Sequence, residues 1–185
     1  MDLSQLIKEV NKDIDDSLPN ADITQWLNRG LDDLTPYAKH QKYQAISLVE
    51  GQKNYVLPTD LYNIVYLMDE NDNKRINLVQ FDDFYSKGYK MWGKELIIQP
   101  IPKEDKELTL YYHARLPHLV NSDDIPAIPE EFHDLLVLYT VARAKYQDEE
   151  PEMMNSAYSE YLRRKDEFIS FNQTGEVYTV QEVYW

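Results

Sequence analysis

The sequence predicts an α+β protein. Its parts are a helical bundle scaffold of two N-terminal and two long C-terminal helices, a central antiparallel β subdomain and an extended C-terminal arm. Three observations carry this. Apolar residues recur at helical spacing at both ends of the chain and at a spacing of two in the middle. Pro19, Pro36, Pro129 and Pro151 fall where one element gives way to the next. The last 15 residues, FNQTGEVYTVQEVYW, alternate and show no helical period. A chain of 185 residues is expected to form one domain, here 1–170, followed by an arm at 171–185. A chain of that size buries roughly 70% of the surface its unfolded form exposes, so it needs no cross-links.

The first helix is expected over 2–16. Leu3, Leu6, Ile7, Val10 and Ile14 share one face, and Asp2 is placed to cap it. SLPN at 17–20 ends it, because Pro19 disfavours helix at Leu18. The second helix is expected over 22–35. Asp22 with Gln25 three residues on resembles a capping box, and Ile23, Trp26, Leu27, Gly30, Leu31 and Leu34 form the apolar face. Thr35-Pro36 closes it.

The β-rich insert spans 43–114. YQAISLV and KNYVLP flank the turn EGQ and read as a hairpin. LYNIVYLM at 61–68 is a strand, DENDNK turns it, and RINLV at 75–79 returns. Phe81, Phe84 and Tyr85 in FDDFYSKGY suggest one helical turn lying on the sheet. YKM and ELIIQP, joined by WGK, form a tight hairpin, and KELTLYYHARL is the last strand. Residues 93–117 thus read as a hairpin of structural sheet, with Pro100 and Pro102 blunting its edge. Tyr111 and Tyr112 point to opposite faces, one toward the core and one outward.

Helical period returns at 129–148. Phe132, Leu135, Leu136, Tyr139, Ala142 or Arg143, and Tyr146 form one face, with Pro129 in a favoured first-turn position. The last helix is expected over 151–169. Met154, Ala157, Tyr158, Tyr161, Leu162, Lys165, Phe168 and Ile169 fall at spacings of three and four. Lys145, Asp148, Arg163 and Arg164 are read as outward-facing.

Composition narrows the function. There is no cysteine, which excludes disulfides and thiolate metal sites and fits a reducing compartment. The opening MDLSQLIKEVNKDIDD lacks the basic region and continuous apolar run of a signal peptide. No apolar run approaches the roughly 20 residues of a membrane helix. The net charge is −14, from 33 acidic and 19 basic residues. That argues against tight nucleic-acid binding, which needs a basic surface to release counterions. It suits solubility, or a wall that DNA passes without sticking. The 15 tyrosines suit protein interfaces.

No constellation of catalytic, cofactor-binding or metal-binding residues emerges. His40, His113, His118 and His133 lack metal-ligand spacing and read as surface or rim residues. Asp69, Asn71 and Asn73 match the first ligand positions of a calcium loop. However, Lys74 stands where glycine is needed and Gln80 where glutamate is needed, so a polar hairpin turn is the better reading. The pairs Asp15-Asp16, Asp32-Asp33, Asp82-Asp83 and Asp123-Asp124 are adjacent acids that point apart into solvent. No glycine-rich phosphate loop or nucleophile elbow is present. NQT at 172–174 is a sequon without meaning in the absence of a secretory signal.

Four motifs follow one another along the chain: YVLPTDLYNIVYL at 55–67, WGKELIIQPIP from 92, LTLYYHARLPHLV to 120, and IPAIPEEFHDLLVLYTVARAKYQ at 125–147. In this order the chain resembles the head–tail connector adaptor proteins of tailed double-stranded DNA bacteriophages, over about residues 1–170. The resemblance implies a structural virion protein of the neck without catalytic activity, assembled in the host cytoplasm. It implies a homo-oligomeric ring, commonly of twelve copies, below the portal protein. Such a ring extends the DNA channel, lets double-stranded DNA pass without specific binding, and docks the next tail or neck component. The group's C-terminal arm along the portal corresponds to 171–185. There Val177, Tyr178, Val180, Val183, Tyr184 and Trp185 are candidates for contact with the portal or a neighbour, since an apolar tail is costly in water and alternation suits strand addition. Tyr111, Tyr112, Arg163 and Arg164 are further candidate interface residues. Two other classes fit composition less well: a soluble acidic adaptor of cellular regulation, and a hydrolase with dispersed carboxylates.

Overall fold

Helix α1 (Leu3–Asp13) starts where the sequence places its cap: the Gln5 amide donates to Asp2 Oδ1 at 2.8 Å and the Asp2 amide donates to Gln5 Oε1 at 2.9 Å, a complete capping box. The remaining first-turn amides of Leu3 and Ser4 are taken by the carbonyls of Asp124 and Ser122. The computed structural model describes residues 1–14, 18–147 and 151–173, apart from the side chains of 147 and 151–154. The chain forms two compact units, Met1–Lys39 with Leu116–Trp185, and His40–Arg115.

In the helical unit, α2 (Asn20–Ala38) departs from expectation at both ends. It starts two residues early, capped by Pro19, whose carbonyl accepts from Asp22 and Ile23; Asp22 is a first-turn acid and makes no capping box. It also runs through Pro36. Proline this close to a helix end forfeits little, and the Thr35 hydroxyl donates to the Leu31 carbonyl at 3.0 Å while accepting from the Leu116 amide at 3.2 Å. Lys39, in the left-handed region at φ 46°, ends the helix.

A 3-10 turn (Glu130–Phe132) stands where helix was expected from 129, so α3 runs Asp134–Gln147. Helix α3 is packed by α1, α2 and α4 (Pro151–Gln173), and it is buried on most sides rather than along one face. Leu135, Leu136, Thr140, Val141, Ala144 and Lys145 are all buried, whereas Tyr146 is open to solvent. Gly30 lets α2 approach it closely: a Cβ there would lie 3.2 Å from Leu136 Cδ2. Helix α4 buries a narrower stripe, Tyr161 and Phe168, two turns apart. It continues past 169 because Phe171 packs edge-on against Phe132 at 5.4 Å and Lys39 Nζ donates to the Asn172 carbonyl at 2.9 Å. Residues 171–173, expected in the arm, are therefore helical.

The β unit contains two antiparallel sheets. One has the order β1-β7-β3-β4 and the other β2-β6-β5. The strands are β1 (Gln41–Leu48), β2 (Asn54–Val56), β3 (Leu61–Asp69), β4 (Lys74–Ile76), β5 (Gly88–Trp92), β6 (Glu95–Gln99) and β7 (Lys106–Ala114). Ile46, Leu67, Leu96, Ile98, Leu108 and Leu110, with Tyr55, Tyr89 and Tyr112, form its core.

The β3–β4 and β5–β6 hairpins form as expected, but two other pairings differ. β1 and β2 do not pair with each other: β1 lies on β7 and β2 on β6. Likewise 93–117 is not a hairpin. It supplies an interior strand to each sheet, β6 to the three-stranded and β7 to the four-stranded one, so its prolines protect no edge. Local alternation reveals that a strand exists, whereas its partner depends on which faces must meet in the core. The run 75–79 is divided in the same way. Lys74–Ile76 pairs with β3, and Asn77–Val79 crosses to β5, where the Tyr89 amide donates to the Asn77 carbonyl and the Val79 amide to the Tyr89 carbonyl.

Candidate functional site

The groups open to recognition are surfaces. The first is a row of tyrosines across the outer face of the four-stranded sheet. Tyr43 on β1, Tyr111 on β7 and Tyr66 on β3 are register neighbours, and their rings lie 6.1 and 4.5 Å apart. The Tyr111 hydroxyl donates to Glu70 at 2.8 Å and the Arg75 guanidinium lies 5.5 Å over Tyr66, which fixes the row. Tyr112 points to the opposite face, is buried, and donates to Asp60 at 3.1 Å. The alternation expected for this pair holds. The placement leaves Tyr111 as the one available to a partner.

The second surface is the loop between Val79 and Gly88, read from sequence as a helical turn. It is an irregular turn instead. The Asp83 carboxylate accepts from the amides of Tyr85 and Ser86, both at 2.9 Å, and so competes with helical bonding. These bonds, with the Ser86 side chain foremost, hold its pKa down at about 2. The buried Lys90 ammonium donates to the carbonyls of Phe81 and Asp83 and lies 4.9 Å from the Phe84 ring. The aromatics are turned outward: Tyr85 is 97% exposed, and Trp92, tilted against Phe81 with ring centroids 4.8 Å apart, is 65% exposed. Sequence reasoning missed this surface. Its signal was three aromatics within five residues beside two adjacent acids.

The third is the polar side of α4. Arg163 is exposed and bonds Glu160 at 2.6 Å and Glu167 along its own helix. Arg164 is not outward-facing. It makes a bidentate contact with Asp134, donates to the Glu131 carbonyl at 2.7 Å, and lies 5.2 Å over the Phe132 ring. Lys145, also read as outward, is buried; Asp148 lies outside the described residues. Next to this side, Asp33 on α2 accepts from the buried Tyr161 hydroxyl and from Lys165 Nζ at 2.6 Å. Burial and then this bond push the Tyr161 hydroxyl pKa far up, so it stays a neutral donor. The arm residues Val177, Tyr178, Val180, Val183, Tyr184 and Trp185 lie outside the described residues.

Among the described residues, no three His, Cys, Asp or Glu side chains gather to hold a metal. Asp69, the first position of the calcium-loop-like stretch, is buried at a hairpin turn. Burial alone would raise its pKa, but Lys106 and the Asp72 amide outweigh that and pull it down. His133 is buried, contrary to its surface reading: Nε2 donates to the Ile128 carbonyl at 3.1 Å and Nδ1 accepts from the Met1 amino nitrogen at 2.7 Å. His118 is exposed and bonds Asp32 at 2.9 Å. No described helix is long and apolar enough to cross a membrane.

Charge is divided unevenly between the units. Residues 40–115 hold 11 acidic and 10 basic residues, net −1, and the remainder hold 22 and 9, net −13. A strongly acidic helical unit is thus joined to a nearly neutral β unit rich in exposed aromatics. These features define an α+β scaffold whose recognisable assets are exposed surfaces rather than a catalytic or metal centre; the class of protein, an adaptor of phage virions, comes from its family. The chain belongs to the SU10 adaptor protein family, whose model it matches over residues 1–182. No match was found among curated proteins.

Proposed function

We propose that this protein is a non-enzymatic component of the phage neck. It forms a ring below the portal protein, extends the DNA channel, and provides the docking surface for the next tail or neck component. The observation that carries this is the family match over residues 1–182. The division of charge supports it. A lumen lined by the helical unit, at net −13, would repel the phosphate backbone and let double-stranded DNA slide without specific binding. The near-neutral β unit is where identical copies can meet with least repulsion. Arm residues 174–185 contribute contacts to the portal or a neighbour through Val177, Tyr178, Val180, Val183, Tyr184 and Trp185. Tyr111 and Arg163 are the earlier interface candidates left open to a partner.

The test is electron microscopy and native mass measurement with the portal protein of the same phage, using the full chain and a chain ending at Gln173. Ring decoration of the portal, twelve-fold and weakened by the truncation, is the expected result. A stable monomer or dimer with no affinity for the portal would overturn the reading and favour a soluble acidic adaptor.

A further inference from the structure

We propose that the free edge of β1 receives residues 176–184 of a second copy as an added strand. This rests on the ring reading above.

The acceptor is unusual among the described sheet edges. β4 and β2 are three residues long, and the edge of β5 is taken by Asn77–Val79. β1 is eight residues long and, among the described residues, pairs on one side only, with β7, in unbroken register from Gln41–His113 to Leu48–Lys106. Gln41 to Ala45 are exposed. Edges are usually guarded by proline, a bulge or free lysines. β1 has no proline and no bulge, and its one lysine, Lys42, is tied to Asp60 at 2.7 Å.

The occupant is argued from the sequence that follows α4. Twelve residues follow Gln173. Residues 176–184, EVYTVQEVY, alternate, are rich in valine and tyrosine, and contain no proline or glycine. Nine extended residues span roughly 30 Å, and the eight of β1 roughly 27 Å, so the lengths match. The charges are compatible. The segment carries Glu176 and Glu182 and no base, and β1 carries Lys42 and no acid, in the unit whose net charge is only −1. Geometry on the outer face adds a third argument. The row Tyr66–Tyr111–Tyr43 stops at β1 with Tyr43 75% exposed, and a tyrosine of an added strand extends it by one place. Donor and acceptor are different patches of one chain, the heterologous arrangement that propagates head to tail around a ring.

The absence of native cysteine makes disulfide trapping clean. One full-length chain carries Gln44→Cys. Its partners carry Val177→Cys, Thr179→Cys, Gln181→Cys or Val183→Cys in turn, to sample register. Mixing the two populations on portal is expected to give a disulfide between unlike chains at one or two of these positions, since paired strands bring Cα atoms to about 4.5–5.5 Å. Rings that form without any mixed disulfide overturn the strand and leave the ring reading standing. A doubly substituted chain that closes on itself when dilute overturns it in favour of the chain's own arm. Neither ring nor disulfide overturns both. Hydrogen exchange on the unsubstituted assembly gives a second reading. Amides of β1 are expected to slow at least tenfold in the full chain relative to the chain ending at Gln173, and equal rates would count against the strand.

Discussion

Arg164 holds Asp134 through two parallel hydrogen bonds, Nε to Oδ2 at 2.8 Å and Nη2 to Oδ1 at 3.0 Å, and so fastens α4 to the first turn of α3. Its neighbour Arg163 has equal charge but bonds only acids of its own helix. Geometry therefore separates two residues that sequence treats alike. Arg164→Lys keeps the charge and loses the fork, and is expected to cost about 1–2 kcal/mol. Arg163→Ala, at exposed pairs, is expected to change stability by less than about 1 kcal/mol. Urea unfolding of both variants checks the contrast, and equal midpoints would refute it.

Gly88 marks the crossing point of the β unit. A Cβ at this position would lie 2.2 Å from the Asn77 carbonyl oxygen and 2.5 Å from Val79 Cγ2. The obstacle is backbone already bonded to Tyr89, so it cannot swing aside. Gly88→Ala is expected to cost about 3 kcal/mol or more, at or above the top of the usual overpacking range. Gly93→Ala is the control. Gly93 has φ +60° with open space around it, and only the backbone preference, about 1–2 kcal/mol, is lost. Thermal unfolding that ranks the two variants the other way would contradict this account.

The helices were legible because each declares itself locally. Leu6, Val10, Leu27, Leu31 and Leu34 repeat at the helical period and are the residues buried. Strand positions were legible for the same reason, with Tyr111 and Tyr112 on opposite faces. Strand partners were not, because β6 and β7 are adjacent in sequence yet each prefers another sheet, a choice made by the whole core. The roles of Arg164 and Lys145 were hidden too. Charge alone does not say that an Asp134 thirty residues upstream is within reach, or that a lysine stem is buried.

Asp33 joins α2 to α4 by accepting from both Tyr161 and Lys165. Asp33→Ala leaves a buried hydroxyl and a half-buried ammonium without this acceptor, and is expected to cost about 2–3 kcal/mol. Tyr161→Phe removes only the hydroxyl and is expected to cost about 1 kcal/mol. Because both substitutions break the same bond, the double variant should lose less than their sum. Strict additivity in denaturant titrations would show that the bond contributes nothing.

His133 gives the helical unit a pH dependence of definite sign. Burial lowers its pKa below 6.5, outweighing the Ile128 carbonyl that accepts from Nε2. Above about pH 6.5 the ring is neutral in both folded and unfolded chains, and its contribution to stability is complete. As pH falls from there, the unfolded chain takes up the proton first. Stability then declines until the folded ring also protonates. Carboxylates held below their usual range, such as Asp2 and Asp124 with their backbone amides, are lost only on further acidification, below about pH 4. His40 in the β unit is also lowered by burial, so the two histidines must be separated by substitution. The expected result is a fall in melting temperature between pH 6.5 and 5 that is reduced in His133→Gln. An unchanged slope in that variant would assign the dependence to His40 or to the carboxylates instead.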